Sequence, residues 1–178
     1  IWDMLGAYQL ASVPVLKAAV EAIAFSHTTP RAAIVGGSEE SIAYMDTTEL
    51  SIKGRHSYAN TGSSLAAAYA IDNKALFVGT TSGNLLQVFP AFGEGNSVLQ
   101  ARVSKGHERP VLDLAHSPDG RFIASTGLDS TIRVWNVATG DMARLISNKT
   151  SKKWTALAFS PDSGMLLATD PSGTVSAW

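Results

Sequence analysis

The chain has no cysteine, and charged residues make up only 16% of its 178 positions. The missing thiols exclude disulfides, thiolate metal sites and cysteine nucleophiles, and they fit a reducing compartment. The 14 Lys and Arg against 15 Asp and Glu give a net charge of −1, so no overall field draws the chain to nucleic acid or to an acidic membrane. The longest apolar stretch, residues 13–25, contains Lys17 and Glu21 and is too short to span a bilayer.

Short runs with alternating apolar residues are abundant, and turn residues separate them. In residues 106–136, GHERPVLDLAHSPDGRFIASTGLDSTIRVWN, the runs are 111–116, 122–126 and 131–136. A Ser-Pro-Asp-Gly turn at residues 117–120 joins the first two, and Asp129 and Ser130 join the last two. Proline presets φ and glycine accepts positive φ, so this chemistry predicts strand–turn–strand units.

The same arrangement recurs along the chain with a period in the forties. One column of equivalent positions is spaced 43, 44, 46 and 43 residues apart: Trp2, Met45, Phe89, Trp135 and Trp178. A second, spaced 44, 47 and 43 residues apart, marks the end of each first strand: Phe25, Tyr69, His116 and Phe159. Two columns with one period predict a repeat architecture of short strands.

We therefore predict an all-β chain of seventeen strands. The units cover about residues 1–10 (partial), 15–53, 64–103, 107–146 and 154–178, with the outer strand of the 15–53 unit at 49–53. Residues 16–22 have helical propensity, but their place in the column favours a strand. The unit at 154–178 stops before an outer strand.

Residues 106–136 resemble a WD repeat, the four-stranded blade unit of β-propellers. The resemblance lies in the Gly-His pair, the Ser-Pro-Asp-Gly turn, the Asp and the Trp-Asn that stands for Trp-Asp. It implies that His107, Ser125, Asp129 and Trp135 form a hydrogen-bonded chain inside the blade. Rings in this family usually have seven blades, so about four blades here imply a fragment of a longer chain. A smaller ring completed by a second chain is the less economical alternative.

The other units depart from this pattern. The first has Glu39 and Met45 in place of the Asp and Trp. The second has Gly83 and Phe89 there, which favours an apolar blade. The fourth keeps a hydroxyl at the position of Ser125, Thr169, and a tryptophan, Trp178. It has Ser172 at the position of the Asp and no preceding Gly-His.

Two kinds of reactive site were weighed against this structural interpretation. His107, Ser125 and Asp129 have the residue types of a catalytic triad, but inside a blade they would be sealed from substrate, and a nucleophile needs exposure and an oxyanion site. The four histidines lack the close spacing of metal ligands; they are His27, His56, His107 and His116. We expect no catalysis, no metal and no cofactor.

The only dense basic patch is the loop that holds Lys149, Lys152 and Lys153, next to Trp154. Its simplest interpretation is a solvated loop. The alternative is contact with RNA, in which lysines attract phosphates and an exposed aromatic ring stacks on a base.

The predicted function is that of a non-catalytic scaffold or interaction subunit of a multiprotein or ribonucleoprotein assembly, because propellers present loops on a rigid frame. Residues 1–22 resemble a blade junction in the transducin-β-like WD subunits of the small-subunit processome. That resemblance implies pre-rRNA processing in ribosome biogenesis, protein partners with RNA reached through the assembly, and a nuclear or nucleolar location. A cytoplasmic or ciliary scaffold and a substrate adaptor of a ubiquitin ligase are the alternatives. Membrane and small-molecule partners are not expected.

Overall fold

The structure is a computed structural model, and it is built from strands. It describes residues 2–3, 8–9, 12, 14–17, 19–36, 41–58, 62–72, 75–89, 100–147 and 153–178. Within these ranges there are seventeen strands and no helix, and consequently no helix that could cross a membrane. The all-β prediction is confirmed.

The strands form a short hairpin and then four antiparallel sheets in chain order. In each sheet, consecutive strands are hydrogen-bonded neighbours. The hairpin is β1 (Trp2–Asp3) and β2 (Tyr8–Gln9). The first sheet is β3 (Val20–Phe25), β4 (Arg31–Gly36), β5 (Ser41–Asp46) and β6 (Ser51–Ser57); the second is β7 (Ser64–Tyr69), β8 (Leu76–Thr80), β9 (Asn84–Phe89) and β10 (Gln100–Lys105). The third is β11 (Val111–His116), β12 (Phe122–Gly127), β13 (Thr131–Asn136) and β14 (Met142–Ser147); the fourth is β15 (Ala156–Phe159), β16 (Leu166–Thr169) and β17 (Val175–Ala177).

The four sheets pack face to face, and strand alternation gives each middle sheet two buried faces. In β12, Ile123 lies in an apolar cluster with the second sheet, whereas its neighbour Ala124 lies in a cluster with the fourth. Every residue of β8 is buried for the same reason. Contacts join the first sheet to the second, the second to the third and the third to the fourth; among the described residues no comparable set joins the fourth to the first, so the ring is not closed.

Polar bonds join the second and third sheets at three separate places. Near the inner strands, the His107 amide donates to the Gly83 carbonyl at 3.0 Å. Midway, Gln87 Nε2 donates to the Val137 carbonyl at 2.8 Å. At the outer strands, Ser104 Oγ donates to the carbonyl oxygen of Gly140, in the turn between β13 and β14, at 3.1 Å.

The bonds between the third and fourth sheets lie on the inner strand of the fourth sheet and on the segments that flank it. Before that strand, Thr126 Oγ1 on β12 donates to the Trp154 carbonyl at 3.4 Å. The Leu157 amide donates to Asp113 Oδ2 at 2.7 Å. The Asp119 amide donates to Ser163 Oγ at 3.0 Å, which links the two turns that follow β11 and β15. Burial raises the pKa of Asp113, although hydrogen bonds from the Leu157 and Leu114 amides oppose the rise.

The outer strand of the first sheet begins later than the predicted residues 49–53. Asp46 Oδ1 accepts hydrogen bonds from the amides of Thr48 and Glu49, at 2.8 and 2.9 Å, and these close a turn. Leu50 follows with a φ of 54°, a left-handed conformation that a strand does not use. Ser51–Ser57 is therefore the strand.

In the second sheet, the residue equivalent to Trp135 lies one position earlier than the predicted Phe89. Leu76 pairs with Val88 as Ile123 pairs with Trp135, so Val88 and not Phe89 is the equivalent of the tryptophan. Val88 packs towards the first sheet and Phe89 towards the third, because neighbours on a strand face opposite ways.

The turn before β9 is shifted in the same way. Gly83 has a φ of 80° and Ser130 a φ of 65°, and each is the left-handed residue that ends its turn. Gly83 therefore corresponds to Ser130, and Ser82 takes the place that was predicted for Gly83, that of Asp129.

Candidate functional site

The third sheet brings its four predicted network residues into one chain of hydrogen bonds. Trp135 on β13 donates from Nε1 to Ser125 Oγ on β12 at 2.9 Å. Ser125 Oγ lies 2.8 Å from Nε2 of His107, which precedes β11. His107 Nδ1 lies 2.9 and 3.0 Å from the two carboxylate oxygens of Asp129, in the turn between β12 and β13.

The chain of bonds is complete when the imidazole is neutral. Ser125 then donates to His107 Nε2, and His107 donates from Nδ1 to Asp129, so every polar hydrogen has an acceptor. Burial lowers the pKa of His107, against the opposing pull of the Asp129 carboxylate. Burial works against the Asp129 carboxylate too, but the bonds from His107 and Thr131 outweigh it and hold the pKa of Asp129 below its usual value.

Thr131 is a fifth member that the sequence interpretation did not include. Its Oγ1 donates to Asp129 Oδ1 at 2.8 Å, and its amide donates to the same oxygen at 3.1 Å. The Glu108 amide donates to the other oxygen at 3.1 Å. An Asp followed two residues later by Thr is the sequence pattern of such a turn, so the signal was present.

The same geometry rules out a nucleophilic role for this set. Ser125, His107 and Asp129 have the bonding order of a catalytic triad, but Ser125 is 0% exposed. Its oxygen also accepts the Trp135 N–H, which occupies the face that a substrate would need. The arrangement therefore braces the sheet.

The fourth sheet is braced by aromatic rings and a differently placed carboxylate. Trp178 contacts Trp154 edge-on, with ring centroids 5.3 Å apart and an interplanar angle of 84°. Asp170 Oδ1 accepts the amides of Ser172 and Thr174, at 2.9 and 3.1 Å, and so caps the turn before β17.

The predicted basic patch is only partly within the described residues. Lys149 and Lys152 lie outside them, and Lys153 is exposed. The expectation that Trp154 is an exposed stacking surface is wrong, because its side chain is 4% exposed. The ring lies in the apolar cluster between the third and fourth sheets, beside Ala124 and Leu166, where burial of its large apolar surface is favourable.

Other predicted positions give no further reactive site. Glu39 lies outside the described residues. Among the residues that the structure describes, no three His, Asp or Glu side chains come close enough together to hold a metal ion. Burial lowers the pKa of both His56 and His116.

Comparison with known proteins identifies the repeat and several relatives. The family described as "WD domain, G-beta repeat" matches residues 99–136. A probable cytosolic iron-sulfur protein assembly protein Ciao1 from Culex quinquefasciatus is 36% identical over 32% of this chain and 17% of its own length. The target of rapamycin complex subunit wat1 from Schizosaccharomyces pombe is 32% identical over 42% of this chain and 23% of its own length. Periodic tryptophan protein 2 from Arabidopsis thaliana is 35% identical over 42% of this chain and 8% of its own length.

The chain matches less than a quarter of the length of each of these relatives. The match to the repeat covers β10 and the first three strands of the third sheet, where the buried polar chain lies. The sheets on either side repeat its strand order and its packing. On these grounds residues 99–136 contain a WD repeat, and the sheets around them have the arrangement of a propeller built from such repeats.

Proposed function

We propose that the chain is a non-catalytic interaction module that helps to hold a multiprotein assembly together. The observation that carries this proposal is the burial of Ser125. Its hydrogen bond to His107 lies inside the third sheet and stabilises it. The sheets provide a fixed frame, and their connecting turns are the exposed parts that can meet other proteins.

The names of two relatives support the proposal. One is a subunit of the target of rapamycin complex, and another is an iron-sulfur protein assembly protein. We expect protein partners for this chain as well, and the comparisons indicate no enzyme family.

The narrower proposal is a role in ribosome biogenesis, with a nuclear or nucleolar location. The resemblance of residues 1–22 to the WD subunits of the small-subunit processome supports it, and so does the similarity to periodic tryptophan protein 2. RNA would be reached through the assembly or through the loop with Lys149, Lys152 and Lys153. A cytoplasmic or ciliary scaffold and a ubiquitin-ligase substrate adaptor are the alternatives.

Affinity purification of the intact protein, followed by chemical cross-linking and mass spectrometry, tests both proposals. We expect stoichiometric partners whose cross-links map to the sheet-connecting turns and to Lys153. Recovery without any stoichiometric partner would contradict the interaction role. Partners that include no ribosomal assembly factor would leave that role standing and overturn the ribosomal one.

The RNA contact has its own test. The double substitution Lys152→Glu and Lys153→Glu should weaken RNA binding and make the dependence of affinity on salt less steep, since each lost phosphate contact reduces the slope by roughly one. Lys105→Glu, an exposed lysine at the end of β10, is the matched control. Equal salt slopes for the two variants would remove the hypothesis.

A further inference from the structure

The turns that follow the inner strands of the four sheets close with the same backbone bond but contain different residues. In each turn, the amide of the residue after the strand donates at 2.9 Å to the carbonyl five residues later; the four donors are Ser26, Ala70, Ser117 and Ser160. Counting from these donors makes Asp72, Asp119 and Asp162 equivalent, and the first turn has Thr28 at that place. The turn after β3 is therefore the one without a carboxylate there.

This carboxylate closes the turns of the third and fourth sheets. Asp119 Oδ1 accepts the Ser117 hydroxyl at 2.7 Å and the Arg121 amide at 3.0 Å. Asp162 Oδ1 accepts the same two bonds from the hydroxyl and the amide at the equivalent places of its turn. In both turns, the hydroxyl of the first residue is thus occupied by a carboxylate.

A proline gives the first turn a different closure. Pro30 stands where Arg121 stands in the third sheet, and it has no amide hydrogen to donate to a carboxylate. Hydroxyl groups close the turn instead. Thr29 Oγ1 lies 2.7 Å from Ser26 Oγ, and the Thr29 amide donates to Ser26 Oγ at 3.1 Å. The turn, residues 26–30, therefore presents hydroxyls and contains no carboxylate.

Thr29 has the exposure and the backbone conformation that suit a modifying enzyme. Both Thr29 and Pro30 are exposed. A proline favours an extended conformation of the residue before it, and Thr29 has a negative φ. Gly120 and Ser163, at the place of Thr29 in the third and fourth sheets, have φ values of 79° and 60°. These left-handed values do not fit an extended segment, so only the first turn presents one.

Two other hydroxyl residues precede a proline, Ser117 and Ser160, and both are protected. Ser117 is 0% exposed. Ser160 is half-buried, and its Oγ donates to Asp162 Oδ1 and accepts the Met165 amide at 2.9 Å. Of the three residues, Thr29 alone is exposed and has no bond to a carboxylate among the described residues.

We propose that Thr29 is a phosphorylation site for a proline-directed protein kinase, the class of kinase that requires a proline directly after the acceptor residue. Thr29 Oγ1 attacks the γ-phosphorus of ATP, and the bond from that phosphorus to the bridging oxygen breaks, so that ADP leaves. The hydroxyl proton passes to a carboxylate of the kinase.

The modification changes the charge of one turn. A phosphothreonine adds a charge of about −1.5 to −2 at pH 7 and three strong acceptor oxygens. The first turn would then carry negative charge, as the turns with Asp72, Asp119 and Asp162 do. This inference goes beyond the proposed interaction role, because it gives an exposed turn of the frame a charge that can be switched.

The probe is a cyclin-dependent protein kinase with Mg-ATP, applied to the intact folded protein, and phosphopeptide mass spectrometry locates the product. Synthetic peptides of residues 24–34, 112–122 and 155–165 serve as references, and each rate in the protein is divided by the rate of its peptide. We expect the phosphate on Thr29. The normalised rates of Ser117 and Ser160 should be at least about tenfold lower, because their turns must open first.

Three variants identify the acceptor and the recognised residue. Thr29→Val should abolish the main product. Thr28→Val removes the neighbouring exposed hydroxyl and should leave the product unchanged, which makes it the matched control. Pro30→Ala keeps the acceptor but removes the proline, and it should remove most of the phosphorylation.

Three results would overturn the proposal. They are no phosphate on Thr29 of the folded protein, equal normalised rates for Thr29 and Ser117, and a main product that survives Thr29→Val. If Thr29→Val does not fold, the location of the phosphate in the unsubstituted protein and in Thr28→Val still decides. An unmodified Thr29, with stoichiometric partners recovered in the cross-linking experiment, would leave the interaction role intact.

Discussion

The third and fourth sheets have the same strand order but are braced by different chemistry. In the third, a line of polar groups runs from the Trp135 indole to the Asp129 carboxylate. In the fourth, the edge-on contact of Trp154 and Trp178 takes its place. One frame thus accepts either a satisfied polar chain or an aromatic pair.

The residue that caps the turn before the third strand differs between the two sheets. It is Asp129 in the third sheet and Asp170 in the fourth. A Cβ on Gly127 would lie 2.4 Å from His107 Nδ1, so the third sheet has no room for a side chain there. The fourth sheet has Asp170 at the equivalent position, and its carboxylate caps the turn directly. Thr80 in the second sheet does the same, since its Oγ1 accepts the Asn84 amide at 3.2 Å. A sheet that places a histidine at the position of His107 therefore requires a glycine at the position of Gly127.

Exchange of the two turn residues should have the largest effect. Gly127→Asp forces a side chain against the His107 ring and the Asp129 carboxylate, and we expect it to lower the free energy of unfolding by at least about 3 kcal/mol. Asp170→Gly removes a carboxylate that accepts the Ser172 and Thr174 amides but introduces no clash, and it should cost about 2 kcal/mol. Urea denaturation of both variants checks this. Similar losses would mean that the two turns are not constrained differently.

Removal of the carboxylate from the third sheet comes next. Asp129→Ala takes away bonds to His107 and Thr131 and should cost roughly 1.5–3 kcal/mol. Ser172→Ala, at the equivalent place in the fourth sheet, should cost less than about 1 kcal/mol, because Asp170 still caps the turn. Thermal and urea unfolding measure both, and an unchanged stability of Asp129→Ala would show that the polar chain does not stabilise the sheet.

The two tryptophans should respond unequally to loss of the indole nitrogen. Trp135→Phe breaks the bond to Ser125 and leaves a gap around a ring that is 3% exposed, so we expect a loss of about 2 kcal/mol. Trp178 is 39% exposed, and Trp178→Phe retains an aromatic ring beside Trp154; its loss should stay below about 1 kcal/mol. The same urea titration compares them, and a larger loss for Trp178→Phe would reverse the comparison.

The smallest effect is a pH dependence near neutrality, to which the third sheet contributes through His107 and the fourth sheet, which has no histidine, does not. Since the pKa of His107 is lowered on folding from its usual 6.5, the unfolded chain takes up a proton first as the pH falls. The free energy of unfolding should therefore fall between about pH 7 and pH 5, and less steeply in His107→Gln. His56 and His116 also have lowered pKa values, so part of the slope should remain. Equal slopes would contradict a neutral, buried His107.

The sequence was sufficient to predict most strands and the four-membered polar chain. Alternation and turn residues define strands locally, and the spacing of His107, Ser125, Asp129 and Trp135 is a family signature. It did not distinguish Val88 from Phe89, because both are apolar and the register depends on the turn that ends at Gly83. Register is a property of paired strands, which one strand's sequence does not carry.

Contacts between sheets were beyond the sequence for a related reason. Gln87 and Val137 are fifty residues apart, and only the packing of two sheets brings them together. Trp154 was expected to be exposed because a lysine-rich loop precedes it, yet the fourth sheet buries it against the third. Thr131 is the exception, since its turn pattern is local and was available.

The placement of the bonds between sheets also has a consequence for motion. The second and third sheets are joined near the inner strands, midway and at the outer strands, which opposes both sliding and rotation. The described bonds that join the third and fourth sheets lie on β15 and on the segments directly before and after it. We therefore expect the fourth sheet to swing about this edge on a slower timescale than side-chain motion. The contact between the second and third sheets would keep its width during that movement, while the contact between the third and fourth sheets would open and close at the outer strands.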